Sequence, residues 1–347
     1  MFTILHNGEM FFDPRIDGYP LGAPKLLREA NKIGTLTFTI FPTHPDYRNI
    51  VMLRSVFSVY KDGVLIYQGR PAYLKKRMKG AVEYKCEELT ACMNDYKLRP
   101  MTFSGPVDQL LSAIVASFNN RSQSVSFGLG TVQNPGNIEW EQTDYIGHWD
   151  ALQAIRGQFG GYIIPRYESG QILLDWLAED DLPESSQAIR FGENLKDMFL
   201  ETDSNETFSG IIPLGGVPEG ETEKITIVSV NDGVDVLYND DAVDLYGWRE
   251  TVKEWKDVTD PQTLKGLAEE WLRGNGVKFR DSVQISAIDL HNADLSIESF
   301  EYLHWINAES SRHDLHARYI LSREETPLDR PVGTQITLGS APRTITT

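Results

Sequence analysis

The run Gly34–Pro42, Gly-Thr-Leu-Thr-Phe-Thr-Ile-Phe-Pro, constrains this chain more than any other stretch. Thr35, Thr37 and Thr39 alternate with Leu36, Phe38 and Ile40. Successive strand side chains point to opposite faces, so the run has one apolar face and one wet one. The same period recurs where Val82, Tyr84 and Cys86 alternate with Glu83, Lys85 and Glu87. Lys61-Asp62-Gly63 separates Val56–Tyr60 from Val64–Tyr67, an Asp-Gly hairpin signal. With Phe2–Leu5, these runs predict a half-buried antiparallel sheet over residues 1–95. Strands this short and closely spaced favour a barrel or sandwich.

The period then changes. Val107, Leu110, Leu111, Ile114, Val115 and Phe118 form a helical stripe, with Pro106 suited to its first turn. A second helix is predicted from about Tyr145, with Trp149, Leu152, Ile155 and Phe159 inward and Gly160-Gly161 as the stop. Gly161–Arg166 and Gln171–Trp176 then read as a hairpin across Glu168-Ser169-Gly170. The acidic, proline-containing stretch Ala178–Glu184 marks a boundary.

Beyond it, Met198–Thr202, Phe208–Leu214, Ile225–Val230, Val283–Leu290, Arg318–Leu321 and Ile336–Gly339 read as β-rich segments. One strong helix has Asp260 as cap and Pro261 as first residue. Leu264, Leu267, Ala268, Trp271 and Leu272 lie on one face, and Gly274 closes it. The expected class is therefore α+β, mainly β. Two barrel-like β domains, 1–95 and 186–347, flank a smaller α+β domain, 96–185, and the second carries a helical excursion over 239–274.

Composition narrows the function. Of 347 residues, 41% are hydrophobic, enough to bury a substantial core. Lys plus Arg number 33 against 50 Asp plus Glu, a net charge of −17, which argues against a groove gripping nucleic acid. The one basic run, Lys75-Lys76-Arg77-Met78-Lys79, reads as a solvated hairpin tip rather than a polyanion site. Cys86 and Cys92 read as free thiols near a sheet core, although their spacing also allows a bridge. The N-terminus lacks the pattern of a signal peptide, and no apolar run approaches a membrane span, so no membrane insertion is expected.

No nucleophile elbow, zinc-protease helix, phosphate loop or dinucleotide fingerprint occurs. His313 and His316, three apart in a strand-like segment, fall on opposite faces and do not suggest a metal pair. Asp144 and His148 share a face if the helix covers both, but a helix-start acid and a surface imidazole explain them equally well. Asp180 with Asp181, and Asp240 with Asp241, lie in loop-like sequence without the distinct environments that acid–base catalysis needs. Trp248 and Trp255 suit a sugar-stacking platform, whereas Trp271 belongs to an apolar stripe. Gly215–Gly220 is a turn with no phosphate-binding helix after it. The expectation is no catalytic, cofactor-binding or metal residue, and no cofactor.

A set of landmarks in order carries a resemblance. These are Asn31 with Gly34–Ile40, Gln68-Gly69-Arg70, Phe191–Leu195, Ile211–Gly215, Val258–Pro261, Ser286–Leu290 and Ile336–Gly339. Together they resemble the hub module of phage tail tips, the N-terminal part of tail-associated lysin or prophage endopeptidase tail proteins, which is similar to the baseplate hub of contractile phages. The resemblance implies a virion structural protein: a homotrimer whose two barrel-like domains per chain form a pseudo-sixfold ring. That ring would dock on the hexameric distal tail protein, adjoin the tape measure protein and other tail-tip proteins, and continue the tube through which DNA leaves without specific binding. The location implied is the virion tail tip, after synthesis in the bacterial host cytoplasm. The sequence reaches Thr347 just past Leu338-Gly339, so the wall-degrading part of longer relatives is not expected here, and the alternatives are a cell-wall peptidase or a host-surface carbohydrate-binding module. His304–Asn307 stands where relatives often carry a Gly-Asp turn.

Overall fold

A computed structural model describes residues 1–133, 136–203, 207–218, 220–256, 258–273, 280–287, 289–292, 296–310 and 315–340. Contacts group them into two units, Met1–Met198 with Ile285–Leu338, and Phe199–Gln284 with Gly339 and Ser340. The protein is α+β and mainly β, as the alternating runs predict.

In the first unit the N-terminal strands are β1 (Phe2–His6), β2 (Glu9–Phe12), β3 (Leu21–Glu29), β4 (Thr35–Ile40), β5 (Phe57–Lys61), β6 (Val64–Lys76) and β7 (Val82–Glu88). Their sheet order continues from strand Leu315–Pro327 through β3, β4, β7, β6, β5 and β1 to β2, every neighbour antiparallel. The first and last β-rich segments thus share one sheet. Leu36, Phe38 and Ile40 are buried against Phe11, Phe57, Val59 and Tyr84, joined by Leu328 from the far end of the chain. Phe11 and Phe57 meet edge-on with centroids 5.0 Å apart, a preferred aromatic geometry. Asp62 and Gly63 adopt φ of 50° and 82°, the left-handed pair that a tight hairpin between β5 and β6 demands.

Residues 89–176 build a second core. Helix α1 (Val107–Asn119) buries all six residues of its stripe, and α2 (His148–Phe159) buries Trp149, Leu152 and Ile155. Fully burying one such aliphatic or aromatic side chain contributes about 1.5–3 kcal/mol. Pro106 lies one residue earlier than its expected role: it ends strand Met101–Pro106 and caps α1. Helix α2 starts at His148 rather than near Tyr145, because Ile146–Gly147 pair with Lys97–Leu98 as a short strand. Tyr162–Glu168 and Gln171–Leu177 form the expected hairpin, with Ser169 and Gly170 both at positive φ.

The second unit is built on strand Gly210–Gly215, paired antiparallel to Leu237–Tyr238 and parallel to Glu250–Trp255. Helix α3 (Asp240–Tyr246) sits within that crossover, and α4 (Pro261–Trp271) lays Ala268 on Ile211, with Leu272 just beyond its end in the same cluster. The stretch 239–274 thus includes a strand, and Ile225–Val230 is a short 3₁₀ turn at Val228–Val230 rather than a strand. Gly274 lies outside the described residues. Asp260 accepts from the Thr263 N–H at 2.7 Å, the predicted cap. Asp260→Ala should leave the Thr263 amide without its partner. Hydrogen exchange should then accelerate several-fold in the first turn of α4 and not in α1; equal exchange in both proteins would refute the cap's role.

Candidate assembly site

The residues singled out as possible chemistry are dispersed. His148 is buried, not a surface imidazole: its Nδ1 donates to the Tyr96 carbonyl at 2.9 Å and its Nε2 lies 3.3 Å from Ser117 Oγ. Burial holds its pKa below the usual imidazole range. Asp144 precedes the helix, so the two share no helical face. His316 is exposed on strand Leu315–Pro327, and His313 lies outside the described residues.

Asp180 and Asp181 belong to a 3₁₀ turn with no buried residue, and Asp240 and Asp241 occupy the first turn of α3. Trp248 is exposed and meets Tyr238 edge-on, whereas Trp255 and Trp271 both lie 5.1 Å from Lys253 Nζ. Cys86 and Cys92 are free and buried, and burial pushes the Cys92 thiol up to about 11. Gly215 and Gly216 hold the backbone through bonds to the Ile225 and Val258 carbonyls. Among the described residues, no group of three or more His, Cys, Asp or Glu is arranged to hold a metal ion.

The structure instead gathers buried charge in the first unit, where β3, β7, the Leu315–Pro327 strand and the Tyr162–Glu168 hairpin converge. The register sets Arg28 directly opposite Glu324, and their side chains pair at 2.5 Å. Both are nearly buried, at 13% and 11% exposure. Burial works against both charges, yet each partner offsets it: Arg28 is held above its ordinary pKa and Glu324 below. Thr326 Oγ1 donates to the second Glu324 oxygen at 3.1 Å, and the Tyr302 ring lies 5.0 Å from the guanidinium. On the same pair of strands, Lys25 reaches diagonally to Glu325 at 2.8 Å.

Glu88, at the end of β7, is another buried acid. Tyr167 Oη donates to its Oε1 at 3.1 Å and accepts from the Gln68 N–H at 3.0 Å, so one phenol ties the helical module to β6 and β7. The Gly34 N–H approaches Glu88 Oε2 at 3.4 Å. Burial pushes the Glu88 carboxyl up to about 7, and bonds from Tyr167 and Gly34 only partly counter it. A cavity of about 140 Å³ opens beside it, lined by Arg28, Asn31, Lys32, Trp149 and Tyr302 among others. Asn31 bridges by donating to the Gly161 carbonyl and accepting from the Ile163 N–H, each at 3.1 Å.

Sequence reasoning missed Arg28, Glu88 and Glu324. Each is an ordinary charged residue in a strand; pairing of segments 296 positions apart buries Arg28 with Glu324, and Tyr167, 79 positions away, covers Glu88. For Glu88 the one signal available is that the Val82, Tyr84, Cys86 alternation, carried on by two residues, reaches it on the inward face.

Comparison with solved structures identifies the arrangement. The chain is similar to prophage tail protein gp18 from Listeria monocytogenes, with TM-score 0.60 at 12% identity over 96% of this chain and 91% of that one. It is also similar to a tail protein from Neisseria meningitidis, TM-score 0.66 at 14% identity, covering 97% and 95%. This is a phage tail protein fold. Residues 183–347 match the family described as prophage endopeptidase tail. The tail-protein fold extends to an Escherichia coli component of the type VI secretion system, described as structurally similar to the T4 bacteriophage tail proteins gp27 and gp5. That likeness has TM-score 0.51 at 8% identity over 99% of this chain and 77% of that one. No curated protein matches in sequence. No helix among the described residues is long and apolar enough to cross a membrane.

Proposed function

We propose that this chain is a non-enzymatic structural component of the virion tail tip: a homotrimeric hub that joins the distal tail protein ring to the tip and surrounds the path of DNA exit. The observation that carries the reading is the likeness to solved tail proteins along almost the whole length of both chains, together with the family match over residues 183–347. The continuous antiparallel sheet from β2 to Leu315–Pro327 supplies a rigid wall of the kind a tube needs. The net charge of −17 suits a surface that DNA passes without adhering, because like charge repels phosphates within about 8–10 Å at physiological salt. Residues 1–95, 96–185 and 186–347 remain the proposed working segments of the hub.

Imaging of purified tails decorated with a tag on this chain should show three copies at the tip. One copy, or six, would refute the hub reading. The family's name raises the wall-peptidase alternative, which a peptidoglycan gel decides: the purified chain should leave it uncleared, and clearing lost in Asp180→Asn/Asp181→Asn would assign the enzymatic role instead.

A further inference from the structure

The outer half of the β6–β7 hairpin differs from the rest of this acidic chain. From Ala72 onward β6 exposes nearly every residue, and the turn closes through bonds from Arg77 N–H to the Ala81 carbonyl and from Gly80 N–H to the Arg77 carbonyl. Four of the five residues Lys75–Lys79 are cationic. Arg77 is paired with Glu83 at 2.9 Å, while Lys75, Lys76 and Lys79 stand exposed.

The register puts Tyr73 opposite Lys85, so an exposed phenol ring lies within the basic face. Met78 at the tip is fully exposed. The loop before β5 is fastened to this hairpin at two points, by Leu53 N–H to the Pro71 carbonyl and by Tyr47 Oη to the Gly80 carbonyl. It places exposed Leu53 beside Pro71, inward of the tip.

Tyr73 and Met78 put apolar surface among the cations of this run. Aromatic residues, Met and Arg are enriched where proteins meet, and a cationic rim around apolar residues selects an acidic partner. The rest of this chain is such a surface, since all its remaining residues together are more acidic than −17. A second copy thus offers the finger a net opposite charge.

We infer that the β6–β7 finger, through Tyr73, Lys75, Lys76, Met78 and Lys79, docks on an acidic face of a second copy of this chain. The contact is heterologous, finger to a different patch, which is the interface type that closes rings. The inference rests on the proposed assembly of copies and assigns the element that drives it.

Sedimentation of the full chain over a range of concentration and salt tests it. The wild type should self-associate, and the finger's share, read as the difference from the reversed variant, should shrink as salt rises. Lys75→Glu/Lys76→Glu/Lys79→Glu should weaken association about a hundredfold, because like charges then face each other. Tyr73→Ser/Met78→Ser should weaken it while keeping the salt dependence. Unchanged melting curves will show that these exposed changes leave the fold intact. If the reversed variant melts early, Lys75→Gln/Lys76→Gln/Lys79→Gln serves, with a flattened salt dependence expected.

A wild type that stays monomeric at every concentration and salt overturns the inference, as does a reversed variant that associates undiminished. Tighter binding of the finger to a short DNA duplex than to a second copy overturns it too. The hub reading fails separately, on the copy number seen in the tail.

Discussion

Arg28→Met should destabilise the first unit by roughly 3 kcal/mol, the low end of what removing one partner of a buried ion pair costs. It strands Glu324, 11% exposed, opposite an uncharged residue, with the Lys61 charge and the Thr326 hydroxyl as its remaining attractions. Arg28→Met/Glu324→Met should recover most of the loss, because two apolar side chains of similar volume leave no buried charge unpaired. Chemical denaturation of the three proteins measures this. The sign against pH is fixed by Glu324: its folded pKa lies below the ordinary 4.5, so its stabilisation is present above that value and lost as pH falls through the folded pKa. The gap between wild type and Arg28→Met should accordingly hold at neutral pH and narrow in acid. A double variant no better than the single one would show that the strands are held by packing rather than by compensated charge.

Glu88→Gln should stabilise the protein above neutral pH by about 3 kcal/mol and make little difference near pH 4.5. The folded pKa is raised to about 7 from 4.5, so the folded state favours the protonated form. The stability this group contributes is complete below the unfolded value and lost as pH climbs to about 7. Glutamine keeps one oxygen to accept from Tyr167 at the Oε1 position and gives up only the long Gly34 contact at Oε2, without the cost of burying a charge. Subtracting the wild-type stability curve from that of Glu88→Gln isolates the effect from every other titrating group. A flat difference between pH 5 and 8 would mean that water enters the neighbouring cavity and solvates the carboxylate. Tyr167→Phe removes the phenol and should weaken the tie between the helical module and β6 and β7.

The sequence by itself determined the local elements. Alternation at Thr35–Ile40 and Val82–Glu88 specifies strands because side-chain direction repeats every two residues. The stripe from Val107 to Phe118 specifies a helix because it repeats at 3.6. The Asp62-Gly63 turn and the Asp260–Pro261 cap were legible for the same local reason: each solves a hydrogen-bonding or dihedral problem within four residues. Where a neighbouring segment intervened, local reading slipped. Helix α2 starts late because Ile146–Gly147 are claimed by Lys97–Leu98, and Glu250–Trp255 became a strand because Gly210–Gly215 offered it a parallel edge.

The candidate site was illegible, since a charged residue on a strand has no signature until its partner strand is known. Only the tertiary structure decided that Leu315–Pro327 pairs with β3, which buries Arg28 and Glu324 together and makes the two β-rich ends one sheet. Loop closure over some 300 residues leaves no periodic trace in the chain, because its energy lies in contacts that no local window contains.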